Sequence, residues 1–202
     1  MGLKSSFDSD LAKEQKLAVL LDAYYAKHLK NYDFKRVKNR KEQFQGVDVN
    51  FIHKISSNKF HIDEKAQLDY INEDLPTFAF EICYYKNEIE KEGWFFDIKK
   101  KTDFYALITA IYNDGGTLFS TCKITLVNRA RLQDILIKRG LDKTNLRNHY
   151  NQNFQGKICV NELDCRKEGY LFLSKKNKAE RPLNLILKLD WLLELGVAKR
   201  LV

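Results

Sequence analysis

Asp48 interrupts an apolar run, Val47 to Ile52 (VDVNFI), where a strand ordinarily carries β-branched and aromatic side chains. Fifteen positions later the segment Lys59 to Leu68 (KFHIDEKAQL) carries Asp63, Glu64 and Lys65 in succession. Side chains alternate along a strand, which puts His61, Asp63, Lys65 and Gln67 on one face and Phe60, Ile62, Ala66 and Leu68 on the other. Ser56, Ser57 and Asn58 form a turn signal between the two runs, so the pair reads as a hairpin that brings Asp48 towards Asp63 and Lys65. Two carboxylates side by side suit a hard divalent cation, which keeps several waters and accepts phosphate oxygens. Such an ion lowers the pKa of a bound water and offsets charge on a reacting phosphate. A lysine on the same face can orient or deprotonate that water, or neutralise the transition state. The set therefore fits phosphodiester hydrolysis. A D-x-K triplet alone is commonplace in lysine-rich chains, usually as a solvated strand face or an ion pair. The aspartate inside an apolar strand and the hairpin spacing weigh against that plainer reading.

Other residues compete for the same work. Glu64 neighbours Asp63 and is a rival metal ligand, but alternation points it away from Lys65. Glu81 lies inside the apolar run Thr77 to Tyr85 (TFAFEICYY), where it either joins a site or pairs with a surface lysine. The segment Trp94 to Tyr105 (WFFDIKKKTDFY) places Lys99, Lys100 and Lys101 among aromatics, a combination that neutralises phosphates and stacks on unpaired bases. The plainer reading, core aromatics beside a solvated lysine turn, is favoured for Trp94, Phe95 and Phe96 and evenly matched for the lysines. The chain contains no GxxxxGK[ST] loop, GxGxxG fingerprint or GxSxG elbow, so NTPase, dinucleotide and serine-hydrolase readings lack support.

The elements that must carry these groups are readable from periodicity. Asp8, Ser9 or Asp10 can cap a helix running to about Lys30, with Leu11, Glu14, Ala18, Leu21, Tyr25 and His28 in one stripe, widened by Leu17, Leu20 and Tyr24. Glu14 thereby falls on or beside the buried side, an unusual place for a carboxylate. A polar, basic stretch from Asn31 to Gln45 ends at Gly46. Beyond the hairpin, strands are expected at Thr77 to Tyr85 and Asp103 to Tyr112, the latter closed by Asp114-Gly115-Gly116. A helix from Asn128 to Arg139 has Asn128 as its cap and Gly140 as its stop, and a shorter one spans Asp142 to Tyr150. Strands at Lys157 to Val160, Gly169 to Leu173 and Leu183 to Leu189 lead to a closing helix from Asp190 to Lys199. The expectation is an α/β chain with a mixed central β-sheet flanked by helices, forming one domain over residues 1–202.

The 202 residues include 35 Lys and Arg against 27 Asp and Glu, a net charge of +8. That balance favours an anionic partner, nucleic acid being the commonest. Cys83, Cys122, Cys159 and Cys165 form no CxxC pair or zinc-finger spacing, and are expected to be reduced, mostly buried thiols. No signal-peptide core or apolar run of membrane-spanning length is present, so a cytoplasmic protein with no membrane partner is expected.

The pattern GVDVNF…FHIDEKAQ resembles the PD-(D/E)xK nuclease superfamily, whose fold is that of the type II restriction endonucleases. The resemblance covers roughly Leu11 to Tyr112, in the order helix, hairpin, strand, strand. It implies a restriction-endonuclease-like core with Asp48, Asp63 and Lys65 as the active site and Mg²⁺ or Mn²⁺ as the cofactor. Many members add a glutamate from the first helix, here Glu14, and some a glutamine after the lysine, here Gln67. The proline of the family's motif is absent, because Gln45-Gly46-Val47 precedes Asp48. The expected function is a DNA endonuclease of restriction, repair, junction or phage-DNA processing, with RNA still open as substrate and a homodimer as an open arrangement. The competing class is a catalytically silent nucleic-acid-binding or protein-interaction module on the same fold.

Overall fold

The computed structural model describes residues 6–86, 89–115, 118–151, 154–174 and 181–202, with the backbone alone over 6–12. In chain order the elements are α1 (Ser6–His28), β1 (Tyr32–Arg36), α2 (Arg40–Phe44), β2 (Val49–His53), β3 (Lys59–Ala66), β4 (Thr77–Lys86), β5 (Ile89–Glu92), β6 (Phe104–Asn113) and β7 (Phe119–Asn128). They continue with α3 (Arg129–Lys138), α4 (Lys143–Arg147), β8 (Gly156–Ile158), β9 (Gly169–Leu173), β10 (Leu183–Lys188), α5 (Leu189–Glu194) and β11 (Ala198–Arg200). The chain falls into two compact units. One comprises Met1–Leu75, Thr102–Leu126 and Lys199–Val202, the other Pro76–Lys101 and Val127–Ala198.

The first unit is built on a six-stranded sheet in the order β1-β2-β3-β6-β7-β11. β1, β2 and β3 run antiparallel in succession, with Phe34 opposite Phe51 and Phe51 opposite Phe60. β3 and β6 are parallel, pairing Asp63 with Tyr105 and Lys65 with Leu107. The sheet is therefore mixed, as the sequence predicts. α1 contributes Leu17, Leu21 and Tyr25 to a core shared with Val49, Phe51, Ile62, Ala106, Ile108, Cys122 and Ile124. These strand positions recur every second residue, so one face of the sheet meets the apolar stripe of α1. Each such aliphatic side chain, once buried, contributes roughly 1.5–3 kcal/mol. Glu14 departs from expectation: it is exposed, and the buried stripe runs through Leu17, Leu21 and Tyr25. The side chain of Leu11 lies outside the described residues. Asp8, Ser9 and Asp10 sit inside α1 rather than at its start.

The second unit carries a five-stranded sheet in the order β5-β4-β10-β9-β8, with β4–β5, β4–β10, β10–β9 and β9–β8 all antiparallel. α3 starts where expected, because the Asn128 side chain accepts from the Arg131 amide at 2.9 Å. Asp142 caps α4 in the same way, accepting from the Thr144 and Asn145 amides. Gly93 is required by packing, since a Cβ there would stand 2.4 Å from the Glu81 carbonyl oxygen. Phe95 and Phe96 are buried against one another, with Phe80 on Phe95, so these aromatics are core.

The structure corrects several expectations. The basic stretch after α1, to which the sequence assigns no element, folds into β1 and α2. β7 buries Cys122, Ile124, Thr125 and Val127, a strand that the polar residues Ser120, Thr121 and Lys123 disguise in the sequence. The closing helix ends at Glu194, and the chain then forms β11. Cys159 and Cys165 are joined in a disulfide, whereas Cys83 and Cys122 are the buried thiols expected. Six positions of separation without a CxxC spacing conceal that pair, because only the fold brings the two Cα atoms to 5.7 Å. Gly116 of the expected turn lies outside the described residues. No helix among the described residues is long and apolar enough to cross a membrane.

Candidate active site

Asp48 stands where β2 leaves β3. The backbone ladder reaches it, since its amide donates to the Ile62 carbonyl at 2.8 Å. One step further the ladder partner is a side chain: the Glu64 amide donates to Asp48 Oδ2 at 2.8 Å. A short acceptor replaces the missing backbone carbonyl, and this substitution draws the Asp48 carboxylate alongside β3. Gly46 makes the approach possible. Its φ of 73° is left-handed, a conformation glycine adopts without strain, and its carbonyl is anchored by the Thr102 hydroxyl at 2.8 Å.

Asp63 and Lys65 share the other face of β3, as alternation requires. Lys65 Nζ lies 2.7 Å from Asp63 Oδ1, and the Asp63 side chain is only 2% exposed. Asp63 Oδ2 is buried without a hydrogen-bond partner. A buried carboxylate oxygen left in that state is costly unless a cation or water completes it. Burial first, and then the neighbouring Asp63 carboxylate, push the Asp48 carboxyl up to about 7. Asp63 thus sits close enough to Asp48 to disfavour ionisation of the Asp48 carboxyl.

The site opens into a cavity of about 450 Å³ within the first unit. Asp48, Asp63, Lys65 and Glu14 all line it, so the structure brings together the four residues expected from the hairpin and the first helix. Glu64 also lines it but is committed elsewhere. It accepts from the Tyr25 hydroxyl at 2.7 Å and from Arg36 Nη1 at 2.8 Å, while Arg36 Nε bonds Asp22 at 2.7 Å. Burial, and after it the Glu64 charge, hold the Tyr25 hydroxyl well above its ordinary pKa, so it remains a donor. Sequence reading missed Arg36 and Tyr25 as partners of Glu64, and Gln43 as a residue that lines the cavity. Only the apolar-to-polar alternation of Tyr32–Arg36 hints at a strand that would aim Arg36 inward.

The remaining candidates fall elsewhere. β3 ends at Ala66, and Gln67, whose amide donates to the Ile108 carbonyl at 3.0 Å, is not among the cavity-lining residues. His61 contacts Asp103, with Nδ1 3.2 Å from Oδ2. Glu81 on β4 and Lys99, Lys100 and Lys101 belong to the second unit. There, Asp97 organises the lysine turn by accepting from the Lys99 amide at 2.9 Å.

The donor set suits an ion that takes few protein ligands. Among the described residues no cluster of three or more His, Cys, Asp or Glu is arranged around a common point. Mg²⁺ is commonly held by one or two carboxylates, with water and substrate oxygens completing its octahedron. Two adjacent acids, one with an unpartnered buried oxygen, fit that pattern. Comparison with protein-family models, curated proteins and solved structures gave no match to this chain.

Proposed function

We propose that the chain is a metal-dependent nuclease that hydrolyses phosphodiester bonds, with a restriction-endonuclease-like core, acting as a DNA endonuclease at the cavity of the first unit. The observation that carries this reading is the convergence of Asp48, Asp63 and Lys65 on one cavity, with Asp63 Oδ2 buried and unpartnered. Asp63, through that oxygen, and Asp48 would hold Mg²⁺ or Mn²⁺. The ion, when bound, supplies a water of lowered pKa and offsets charge on the phosphate. Ionised Asp48 is a better ligand than protonated Asp48, so loading competes with the proton that its raised pKa retains. Lys65 is held at the same place by Asp63 Oδ1, where its ammonium orients the attacking water and meets charge developing on the phosphate. Glu14 lines the cavity from α1 and is the further acidic group that can reach solvent-borne ligands there.

The test is incubation of plasmid, linear, branched and single-stranded substrates with Mg²⁺, Mn²⁺ or EDTA. Cleavage that needs the cation and disappears in Asp63→Asn supports the reading. A protein that binds nucleic acid but cleaves none of these with either cation is instead the silent binding module. The net charge of +8 supports both outcomes equally.

A further inference from the structure

The segment between β1 and β2 is a pinned loop with two differently used sides. At its base the Val37 amide donates to the Asp48 carbonyl at 2.8 Å, and Gln43 Nε2 donates to the Val37 carbonyl at 3.0 Å. Asn39 caps α2 through the Lys41 amide at 2.9 Å, and the Val47 amide returns to the Glu42 carbonyl at 3.2 Å. The inward side chains, Val37 and Gln43, line the cavity together with Arg36. The outward side chains are Lys38, Arg40, Lys41 and Phe44, all exposed. Phe44 is 79% exposed. No ion pair among the described residues engages Lys38, Arg40 or Lys41. Three cations and an exposed ring therefore lie on a hydrogen-bonded segment whose base, at Val37, is bonded to the Asp48 carbonyl.

We propose that the Lys38–Phe44 platform binds a single strand of nucleic acid at the cavity mouth, with Lys38, Arg40 and Lys41 on successive phosphates and an unpaired base stacked on Phe44. This rests on the nuclease reading and deepens it, by naming a substrate with at least one unpaired base beside the cleaved bond. Cations alone would serve any polyanion. The ring distinguishes a strand, because every base has a face to stack and an acidic polypeptide has none. The platform's stiffness favours binding, since little loop entropy is lost when a ligand arrives.

The test measures binding of a labelled oligothymidylate and of a duplex of equal length to the full chain, in EDTA, across a salt series. Phe44→Ala should weaken oligothymidylate binding about tenfold and duplex binding far less, and Phe44→Trp should restore it. Lys38→Ala, Arg40→Ala and Lys41→Ala combined should lower the log–log salt slope by about 2, at about 0.7 per lost single-strand phosphate contact. All four side chains are exposed, so folding is not the variable. Unchanged oligothymidylate binding in Phe44→Ala overturns the proposal, as does competition by polyglutamate equal to that of the oligonucleotide. If the wild type cleaves with Mn²⁺ while these variants bind as it does, the platform is wrong and the nuclease reading stands. If the wild type neither binds nor cleaves any nucleic acid, both fall together.

Discussion

Asp63 and Glu64 are consecutive acids on one strand, and the two faces of β3 treat them oppositely. Glu64 points towards α1 and is satisfied: Tyr25 and Arg36 both donate to it, and Asp22 shares the arginine. Asp63 points the other way, with one oxygen on Lys65 and one left buried without a partner beside Asp48. The first arrangement ties α1 and β1 to the central strand. The second leaves one buried carboxylate oxygen without a hydrogen-bond partner, which costs stability. The lesson is that acidity marks neither role; the count of donors around each carboxylate does.

That contrast can be broken most directly at the site. Asp48→Asn and Asp63→Asn should lose Mn²⁺ affinity and cleavage together, whereas Lys65→Ala should keep the metal and lose cleavage. A hundredfold or greater fall in single-turnover rate, about 3 kcal/mol, is the scale for one electrostatic partner. Near wild-type cleavage by Lys65→Ala would return the D-x-K triplet to an ordinary ion pair.

The opposite face should respond in stability instead. Glu64→Ala leaves the Tyr25 hydroxyl and Arg36 short of their acceptor, and unfolding by denaturant should show a loss of about 2–3 kcal/mol. Mn²⁺ affinity of the folded variant, measured by titration, should stay close to the wild-type value. If Mn²⁺ binding collapses while stability holds, the roles of the two acids are reversed.

A smaller effect lies in pH dependence. The folded Asp48 carboxyl is raised from its ordinary 3.8 to about 7, so its favourable contribution is complete below about 4 and is lost as pH rises to about 7. Asparagine keeps an acceptor for the Glu64 amide but never ionises. Without divalent cations, Asp48→Asn should therefore be more stable than wild type above pH 7, by roughly 2 kcal/mol after solvent screening, and equal to it near pH 4. Parallel stability curves for the two proteins would remove the proposed repulsion between Asp48 and Asp63.

The smallest effect belongs to the second unit. Replacing Lys99, Lys100 and Lys101 with alanine should flatten the salt dependence of nucleic-acid binding by about 0.7–0.9 per lost phosphate contact, and leave stability unchanged. An unchanged slope assigns the anion-binding surface to other cations.

Much of this was legible in the chain itself. Alternation placed Asp63 and Lys65 on one face, and the short turn predicted the hairpin, because both follow from local backbone geometry. Asn128 announced a helix start for the same reason: a cap acts on amides within a few residues. Gln67 shows where the local rule stops, since alternation has no meaning past the end of β3 at Ala66. The tertiary structure decided everything that depends on distant partners. It folded Asn31–Gln45 into β1 and α2, gave Glu64 its donors from α1 and β1, brought Cys159 to Cys165, and set Asp48 beside Asp63. Residue types and spacing specify which groups a segment offers, but whether a carboxylate is satisfied or left wanting depends on which other segments the fold carries to it.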